Sequence, residues 1–390
     1  MRVLMINALY PPDRTGSAIF SDQLARCLQE DGVDVEVVST SRVLEDDVEP
    51  SPVLVHRLPA RQVSVGRIAW DYSIPIALGF SNLRRLRSII RSFDPDVIHC
   101  HGQIFDLTWL ASLAARLESR KLVVTVHTAI WHERFLPRFV LRVFEALVIN
   151  PLVKLGRPTF IAVDKWTFND AKRRIARKQT PQVIPVSIDA KSLLGGDATT
   201  AREKYVLGTG PILLSLGHVI ALRNRVALVE ALPRVLERIP NLMLVVVGDV
   251  RDREFLERAT QLRIEKSILC LGSVPHSDIK HLLAASLVEA HDLQGLGLGI
   301  TTVEAMASGV PIVAFATDDN YPGISLRSFD GLNFLDDGDP KKIAEAVISL
   351  TQNPEARDRA IQAQRNLISE VFDQQAVMRR HLDIYRSAIG

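Results

Sequence analysis

The sequence has few cysteines, no long uncharged apolar run and no compositionally biased tract, and each absence excludes a class of protein. Its 390 residues contain three cysteines, Cys27, Cys100 and Cys270. They are far apart and odd in number, which argues against a disulfide framework or structural zinc and predicts buried free thiols in a reducing compartment. Charged residues interrupt the longest apolar stretch, residues 135–153, and the apolar start of the chain is too short for a signal peptide. We therefore expect no membrane span.

The composition is that of an ordinary globular protein, with 47% apolar and 24% charged residues. A chain of this length is expected to form two domains of about 200 residues each. Basic residues outnumber acidic ones in the first half, and the balance reverses in the second half. This asymmetry indicates an anionic partner for the first half, and ordinary scatter is the alternative.

Short β-rich runs alternate with longer helical patterns along the whole chain. The predicted strands lie at residues 3–7, 33–38, 97–100, 123–127 and 160–163, and then at 212–216, 242–247, 268–271, 287–290 and 311–314. This rhythm predicts an α/β fold with two parallel sheets, each covered by helices. The glycine- and threonine-containing segment 191–211 is interpreted as the connection between domains. In such folds ligands bind at the carboxyl ends of the strands.

Two weaker motifs follow predicted strands of the first half. Gly16 precedes a helical pattern, where backbone N–H groups can approach an anion, although a plain helix start is the alternative. His101 and His127 stand at the ends of neighbouring strands. A histidine there can bind sugar hydroxyls or act as an acid or base near neutral pH, and a structural role is the alternative.

The strongest motif is the segment 297–314. A glycine-rich loop, Gly297 to Gly299, opens a short helix that ends at Gly309 and leads into a buried strand. The loop glycines allow the backbone to approach a diphosphate, and Glu304, one turn into the helix, suits the two hydroxyls of a ribose. The alternative for Glu304 is an acidic residue that complements the helix dipole.

Taken in order, these motifs resemble glycosyltransferase family 4, the retaining GT-B enzymes that use nucleotide-diphosphate sugars. The likeness covers nearly the whole chain and also includes residues 183–189, 216–217, 245–249 and 271–274. The run from Glu304 to Pro311 is its most specific part. The resemblance implies two doubly wound Rossmann-like domains, 1–190 and 191–370, that face each other across a cleft. A final helix at 371–390 would pack back onto the first domain.

The resemblance also implies a donor site and catalytic residues. Glu304 would bind the ribose, the backbone of residues 299–301 would face the diphosphate, and His127 would touch the donor sugar. The donor-binding residues implied are Gly16, Gly217, Gly272, Val274, Gln294, Gly297, Gly299, Ile300, Thr301 and Glu304. His127, His218 and Arg223 are the implied catalytic residues, the last two because cations there offset charge on the leaving diphosphate.

Two departures from the family pattern affect this site. His218 stands where the family has arginine, and Arg223 takes the place of a lysine, so only Arg223 has a fixed charge. Leu296 occupies a position where the family has a carboxylate near the donor sugar. Another alignment makes Gln294 a neutral substitute, and Asp292 is close enough in sequence to be a third candidate.

Two basic rows predict contact with an anionic membrane. Arg134, Arg138 and Arg142 share a helical face with an apolar flank, and Arg84, Arg87 and Arg91 form a second row. Such faces lie on anionic leaflets, and a solvated helix face is the alternative. The acidic pairs at residues 46–47, 318–319 and 336–337 are interpreted as solvated turns.

The most consistent interpretation is a retaining glycosyltransferase that moves a hexose-type sugar from a nucleotide-diphosphate sugar to a glycan or lipid-linked acceptor. We expect no metal, no other cofactor and no nucleic-acid partner. We expect a cytoplasmic protein that associates with the inner membrane face. A non-catalytic GT-B-like subunit and a sugar-nucleotide epimerase are the alternatives.

Overall fold

The computed structural model describes residues 1–13, 15–40, 52–64, 73–130, 135–294, 298–317, 320–321 and 325–390. Gly297, Leu296, Arg134 and the acidic pairs at 46–47 and 318–319 lie outside the described residues. The chain divides into two compact units. The first unit comprises Met1–Ser187 and Gln374–Gly390, and the second unit comprises Ile188–Asp373.

Strands and helices alternate through both units. The strands are β1 (Arg2–Asn7), β2 (Asp34–Thr40), β3 (Leu54–Leu58), β4 (Arg61–Ser64), β5 (Ser73–Ile76), β6 (Val97–His101), β7 (Lys121–Val126), β8 (Thr159–Ala162), β9 (Gln182–Val183), β10 (Ile212–Leu216), β11 (Met243–Val247), β12 (Ile268–Gly272), β13 (Val288–Glu289), β14 (Ala314–Phe315) and β15 (Phe334–Leu335). The helices are α1 (Gly16–Glu30), α2 (Phe80–Phe93), α3 (Asp106–Leu117), α4 (Phe135–Phe144), α5 (Asn150–Lys154), α6 (Lys165–Arg174), α7 (Ala198–Tyr205), α8 (Arg225–Arg238), α9 (Glu254–Gln261), α10 (His276–Ala284), α11 (Ile300–Ala307), α12 (Pro340–Gln352), α13 (Pro354–Leu367) and α14 (Gln374–Ile389).

The first unit is built on a parallel sheet with the strand order β3-β2-β1-β6-β7-β8-β9. Its strands consist mainly of aliphatic residues, because helices cover both faces of a parallel sheet and exclude water from each. Five of the six residues of β1 are buried. In the register of the sheet, Met5 pairs with Val37 on one side and with His99 on the other. A separate antiparallel pair, β4 and β5, completes the described strands of this unit.

Helix α14 is the last element of the chain and packs on the first unit. Its inner face buries Val377, Met378, Leu382 and Tyr385 in the same apolar cluster that contains residues of β1 and α1, and it also buries His381. The phenol of Tyr385 lies 2.7 Å from Nδ1 of His99 on β6. A buried hydrogen bond between elements so far apart in sequence fixes the helix rotation as well as its position.

The second unit has a parallel sheet with the order β12-β11-β10-β13. A single bridge between Glu289 and Ile312 continues it toward the parallel pair of β14 and β15. All five residues of β10 are buried. At the end of β11 the chain turns through Gly248 with φ of 123°. A Cβ atom there would lie 2.6 Å from the carbonyl carbon of Gly217, so only glycine fits.

The structure corrects several expectations. Within segment 191–211, interpreted above as the connection between domains, the described chain forms α7, because Asp197 accepts hydrogen bonds from the N–H groups of Thr199 and Thr200. Cys27 and Cys100 are buried as expected, but Cys270 is exposed because it lies on the edge strand β12. Strands β3, β4, β5, β9 and β15 were not predicted. Among the described residues, no helix has the length and apolar character needed to cross a bilayer.

We predict that Tyr385→Phe lowers the free energy of unfolding of the first unit by about 1–3 kcal/mol, the cost of leaving the buried Nδ1 of His99 without its partner. Thermal and urea unfolding would measure the change. Asp383→Asn is the matched control, because the Asp383 side chain lies on the same helix and is 73% exposed. Equal stability of the two variants would contradict the role given to the Tyr385–His99 bond.

Candidate functional site

The carboxyl ends of β10, β11 and β12 lie side by side in the second unit, and a glycine stands at the end of β12 and directly after β10 and β11. Gly217, Gly248 and Gly272 all have positive φ values, so each turns its chain away from the sheet in a way that other residues rarely adopt. The N–H group of Gly248 donates to the carbonyl oxygen of Gly272 over 2.8 Å. These turns expose backbone groups, and the residues that follow each glycine, along one edge of the sheet. We call this edge the carboxyl edge.

His218 and Asp249 follow the first two of these glycines and contact each other. The backbone N–H of Asp249 donates to Nδ1 of His218 over 3.3 Å, and the Asp249 carboxylate lies 3.6 Å from the same nitrogen. The hydroxyl of Ser273 donates to Asp249, and Arg251 lies 3.6 Å from it. Burial, together with the charge of Arg251, lowers the pKa of His218 below its ordinary value. The neutral ring therefore presents an Nε2–H donor.

A cation and a carboxylate meet at the start of α11. The guanidinium of Arg223 forms an ion pair with Asp292. The same carboxylate accepts the backbone N–H of Gly299 over 2.7 Å and the hydroxyl of Thr302. Asp292 is 2% exposed, whereas the Arg223 side chain is 31% exposed. Arg223 therefore presents positive charge to solvent beside the first turn of α11, whose N–H groups have no acceptor within the helix.

A buried polar layer lies beneath this pair. Arg225 donates to the carbonyl oxygens of His291 and Leu216 over 2.7 and 3.1 Å. Oε1 of Glu289 lies 2.6 Å from Nδ1 of His291, and Nε2 of His291 lies 3.0 Å from the hydroxyl of Thr301. Burial raises the pKa of Glu289 to about 8 and holds that of His291 well below its ordinary value. His291 is therefore neutral near physiological pH.

Glu304 lies one turn into α11 and is 5% exposed. Its Oε1 is 3.7 Å from Nε2 of His276, the first residue of α10. Burial raises the pKa of the Glu304 carboxyl to about 7. A buried carboxyl with a weak partner is poised to accept hydrogen bonds from a ligand, and such shifts are frequent at functional sites.

The first unit holds a cluster of neutral histidines at the ends of β6 and β7. Nδ1 of His101 lies 2.9 Å from Nε2 of His127, and the rings of His99 and His381 pack beside them. Burial, with the neighbouring His381, lowers the pKa of His127 to about 3. A neutral His127 ring can donate or accept a hydrogen bond at neutral pH. Gly16 is the first residue of α1, after the capping residue Thr15.

The structure brings together only some of the residues proposed from sequence. A Cβ atom built on Gly217 would lie 3.6 Å from the hydroxyl of Thr301, and one on Gly299 would lie 3.1 Å from the guanidinium of Arg223. Gln294 is exposed, and Asp292, the third candidate, is the carboxylate that pairs with Arg223. Gly272 and Val274 lie at and just after the end of β12, and Ile300 begins α11.

Sequence reasoning missed a second set of site residues. These are Arg225, Asp249, Arg251, His276, Glu289 and His291. His291 directly follows a predicted strand and Asp249 stands two residues after another, and these positions were the available signal. The other four offered no comparable pattern, since their partners belong to other elements of the fold.

The two basic rows do not form free charged faces. Arg142 pairs with Glu145 and Asp170. Arg87 and Arg91 both donate to Glu118, over 2.6 and 2.9 Å. The expectation of a basic stripe is therefore wrong at these arginines, because acidic residues from other segments neutralise them. What α4 exposes instead is apolar: Phe135, Leu136, Phe139, Val140, Val143 and Phe144.

Two family models match the chain. One, described as "Glycosyl transferase 4-like domain", matches residues 15–184. The other, described as "Glycosyl transferases group 1", matches residues 197–367. The chain belongs to the family 4 GT-B glycosyltransferases. The resemblance drawn from the motifs and the α/β GT-B fold class are thereby confirmed, and the protein is a glycosyltransferase enzyme.

Known family members give the degree of similarity. A phosphatidyl-myo-inositol mannosyltransferase of Mycobacterium tuberculosis is 27% identical over 346 residues, 85% of each chain. A GDP-mannose-dependent alpha-(1-6)-phosphatidylinositol monomannoside mannosyltransferase of Mycolicibacterium smegmatis is 24% identical over 282 residues, 69% of this chain and 71% of its own. The crystal structure of Anabaena HepE in complex with UDP superposes with a TM-score of 0.72 at 17% identity and covers 99% of this chain and 100% of its own. At that identity the superposition establishes the fold alone.

We predict that the affinity for a nucleotide-diphosphate sugar depends on pH through His218. A neighbouring diphosphate favours imidazolium, so the bound-state pKa lies above the lowered free-state pKa. Affinity should be greatest below the free-state pKa and decline as pH rises through the bound-state pKa. His218→Arg should flatten this dependence at the stronger level, and His218→Ala should flatten it at the weaker level.

Isothermal calorimetry across pH would measure the effect. An intact nucleotide sugar is the proper probe, because its diphosphate is fully esterified and has no titrating terminal phosphate. Parallel pH profiles for the three proteins in this range would show that His218 does not face the diphosphate.

Proposed function

We propose that this glycosyltransferase moves a hexose from a nucleotide-diphosphate sugar to a glycan or lipid-linked acceptor, with retention at the anomeric carbon. The observation that carries the proposal is the grouping at the start of α11, where the partly exposed guanidinium of Arg223 lies beside Gly299 and the buried Glu304 stands one turn into the helix. A cation and helix N–H groups suit a diphosphate, and a buried carboxyl suits a ribose. Retention follows from the family.

Each residue then has a separate role at the site. Arg223 and the N–H donor of His218 would stabilise charge that develops on the leaving diphosphate. His127, neutral at physiological pH, would hydrogen-bond the donor sugar. Asp292 would orient Arg223 and take the place of the carboxylate that the family has at the position of Leu296. With this positive charge supplied by side chains, the proposed reaction requires neither metal nor organic cofactor.

GDP-mannose is the first donor to test, because curated relatives of this chain are named as mannosyltransferases and one of them is named as GDP-mannose-dependent. UDP-glucose is the second. Slow hydrolysis of one donor, with release of the nucleoside diphosphate, would identify the donor of an active enzyme. Conversion of the sugar without release would favour an epimerase, and no turnover across a panel of donors would favour a non-catalytic subunit.

We predict that Glu304→Ala weakens binding of the selected nucleotide by about 1–3 kcal/mol, since it removes the acceptor of the ribose hydroxyls. Glu304→Gln, which keeps the volume and one acceptor oxygen, should lose less. Calorimetry measures both. Glu345→Gln is the control, because that glutamate lies on α12 and is 62% exposed. Unchanged affinity in folded Glu304 variants would remove Glu304 from the site.

The apolar face of α4 supports a lipid-linked acceptor. Phe135, Leu136 and Phe139 are 73%, 68% and 56% exposed, and no residue of α4 is buried. Apolar residues exposed together on one helix suit insertion at a membrane interface, and Arg138 adds positive charge to the same helix. We propose that this face contacts an anionic leaflet on the cytoplasmic side. The relatives named above are named for phosphatidylinositol-based lipids.

We predict that Leu136→Glu combined with Phe139→Glu releases the protein from vesicles of anionic phospholipid and leaves nucleotide affinity unchanged. The reason is the cost of placing carboxylates in the interface. Cosedimentation measures binding. Leu194→Glu is the control, since Leu194 is 64% exposed and belongs to the second unit. Absence of vesicle binding by the unmutated protein would overturn this part of the proposal.

A further inference from the structure

A chain of three polar side chains leads from the core of the second unit to the first turn of α11. Glu289 and His291 are at most 1% exposed, whereas Thr301 is partly exposed. The contacts are 2.6 Å from Oε1 of Glu289 to Nδ1 of His291, and 3.0 Å from Nε2 of His291 to Oγ1 of Thr301. A proton state at the buried end can therefore alter the hydroxyl at the exposed end.

The surroundings of Glu289 disfavour its ionised form. Oε1 also accepts the backbone N–H of Leu216 over 3.3 Å, but Oε2 is buried with no hydrogen-bond partner in the described part of the chain. The nearby cation Arg225 donates to backbone carbonyls rather than to this carboxyl. A buried carboxylate with one bare oxygen is costly, and protonation removes that cost.

Other charged groups face these three side chains from the elements packed around them. Arg225 comes from the start of α8 and Arg223 from a short helical turn, Ala221–Arg223, just before it, and both favour the ionised form of Glu289. Asp292 lies 3.3 Å from Nε2 of His291 but is neutralised by Arg223. Burial outweighs the two cations, so the pKa of Glu289 remains raised.

The three side chains have two consistent hydrogen-bond arrangements. When Glu289 is ionised, His291 donates Nδ1–H to it and accepts the hydroxyl proton of Thr301 at Nε2. When Glu289 is protonated, it donates to Nδ1, and His291 donates Nε2–H to the oxygen of Thr301. Only in the second arrangement does the hydroxyl of Thr301 keep its proton for a ligand.

We propose that Glu289 and His291 are positioning residues that set whether the Thr301 hydroxyl donates or accepts a hydrogen bond, and that a bound diphosphate selects the donating arrangement. The second part rests on the donor site proposed above. The diphosphate is acceptor-only, so it binds better to a hydroxyl that donates. No bond other than O–H and N–H bonds changes in this exchange.

Affinity for the diphosphate should therefore depend on pH a second time, with a defined sign. Diphosphate binding keeps the proton on Glu289, so the bound-state pKa lies above the free-state value of about 8. Affinity should be full below the free-state pKa and fall by about tenfold as pH rises through the bound-state pKa, the loss expected for one hydrogen bond to a charged group. This window lies above that of His218, whose pKa is lowered.

The variant Glu289→Gln tests whether exchange between the two hydrogen-bond arrangements causes the pH dependence. An amide does not titrate, so His291 should keep one tautomer, and affinity for GDP-mannose, or for UDP-glucose if that donor is selected, should no longer change with pH in this range. Thr301→Val removes the hydroxyl and should give weaker, pH-independent binding in the same range. Adding Glu289→Gln to Thr301→Val should change nothing further. A profile of Glu289→Gln parallel to that of the unmutated protein would overturn the proposal.

A measurement on the ligand-free protein decides the first part independently of the donor site. In ¹⁵N-histidine-labelled protein, the NMR shifts of His291 report which ring nitrogen carries the proton, and His291→Asn assigns the signal. The unmutated protein should exchange the proton from Nε2 to Nδ1 as pH rises through the pKa of Glu289, whereas Glu289→Gln should keep a single tautomer throughout.

The binding measurement and the NMR measurement test different parts of the proposal, so a negative result from each has a different meaning. A tautomer that does not change with pH in the unmutated protein overturns the proposed pair. A tautomer change without binding of any nucleotide sugar supports the pair and instead contradicts the proposed donor site.

Discussion

Much of the second unit depends on the burial of one cation, Arg225. Its guanidinium is 3% exposed and donates to carbonyl oxygens at Leu216, Gly217 and His291. A buried charge costs several kcal/mol unless it is hydrogen-bonded. The segment at Leu216 and Gly217 therefore cannot separate from the segment at His291 without leaving the guanidinium short of hydrogen-bond acceptors. The loops that carry His218 and Asp292 begin directly after those carbonyls. The buried Arg225 therefore holds the geometry of the carboxyl edge, although Arg225 itself is inaccessible to a ligand.

The two units differ in how they present polar groups at the ends of their strands. In the second unit, cations and carboxylates pair at the carboxyl edge, where Arg223 pairs with Asp292 and Arg251 with Asp249. In the first unit, burial lowers the pKa values of the histidines near His127, so that cluster is neutral at physiological pH. A charged diphosphate suits the former environment, and a sugar with only hydroxyl groups suits the latter.

The sequence was sufficient for the fold class because the two main sheets of the described chain are parallel and mostly buried. Runs such as residues 242–247 are continuous in apolar character, and the glycine-rich loop and Glu304 fall in a motif of fixed spacing. Interactions between distant segments could not be predicted in this way. Arg87 reads as part of a basic row until Glu118, 31 residues away, is placed beside it. Arg225 reads as a surface residue at a helix start, and nothing local indicates that carbonyls of two strands surround it.

The neutral His218 and the pairing of Arg223 with Asp292 have a common physical consequence. An arginine at position 218 would add a fixed charge, whereas the neutral His218 does not, and Asp292 offsets the charge of Arg223. Both features weaken attraction for a diphosphate in the ground state. They do not remove the response to added charge, because Arg223 remains a cation and His218 can gain a proton as the leaving group becomes more negative. Since only stabilisation that increases toward the transition state accelerates a reaction, this edge is compatible with turnover despite its reduced charge.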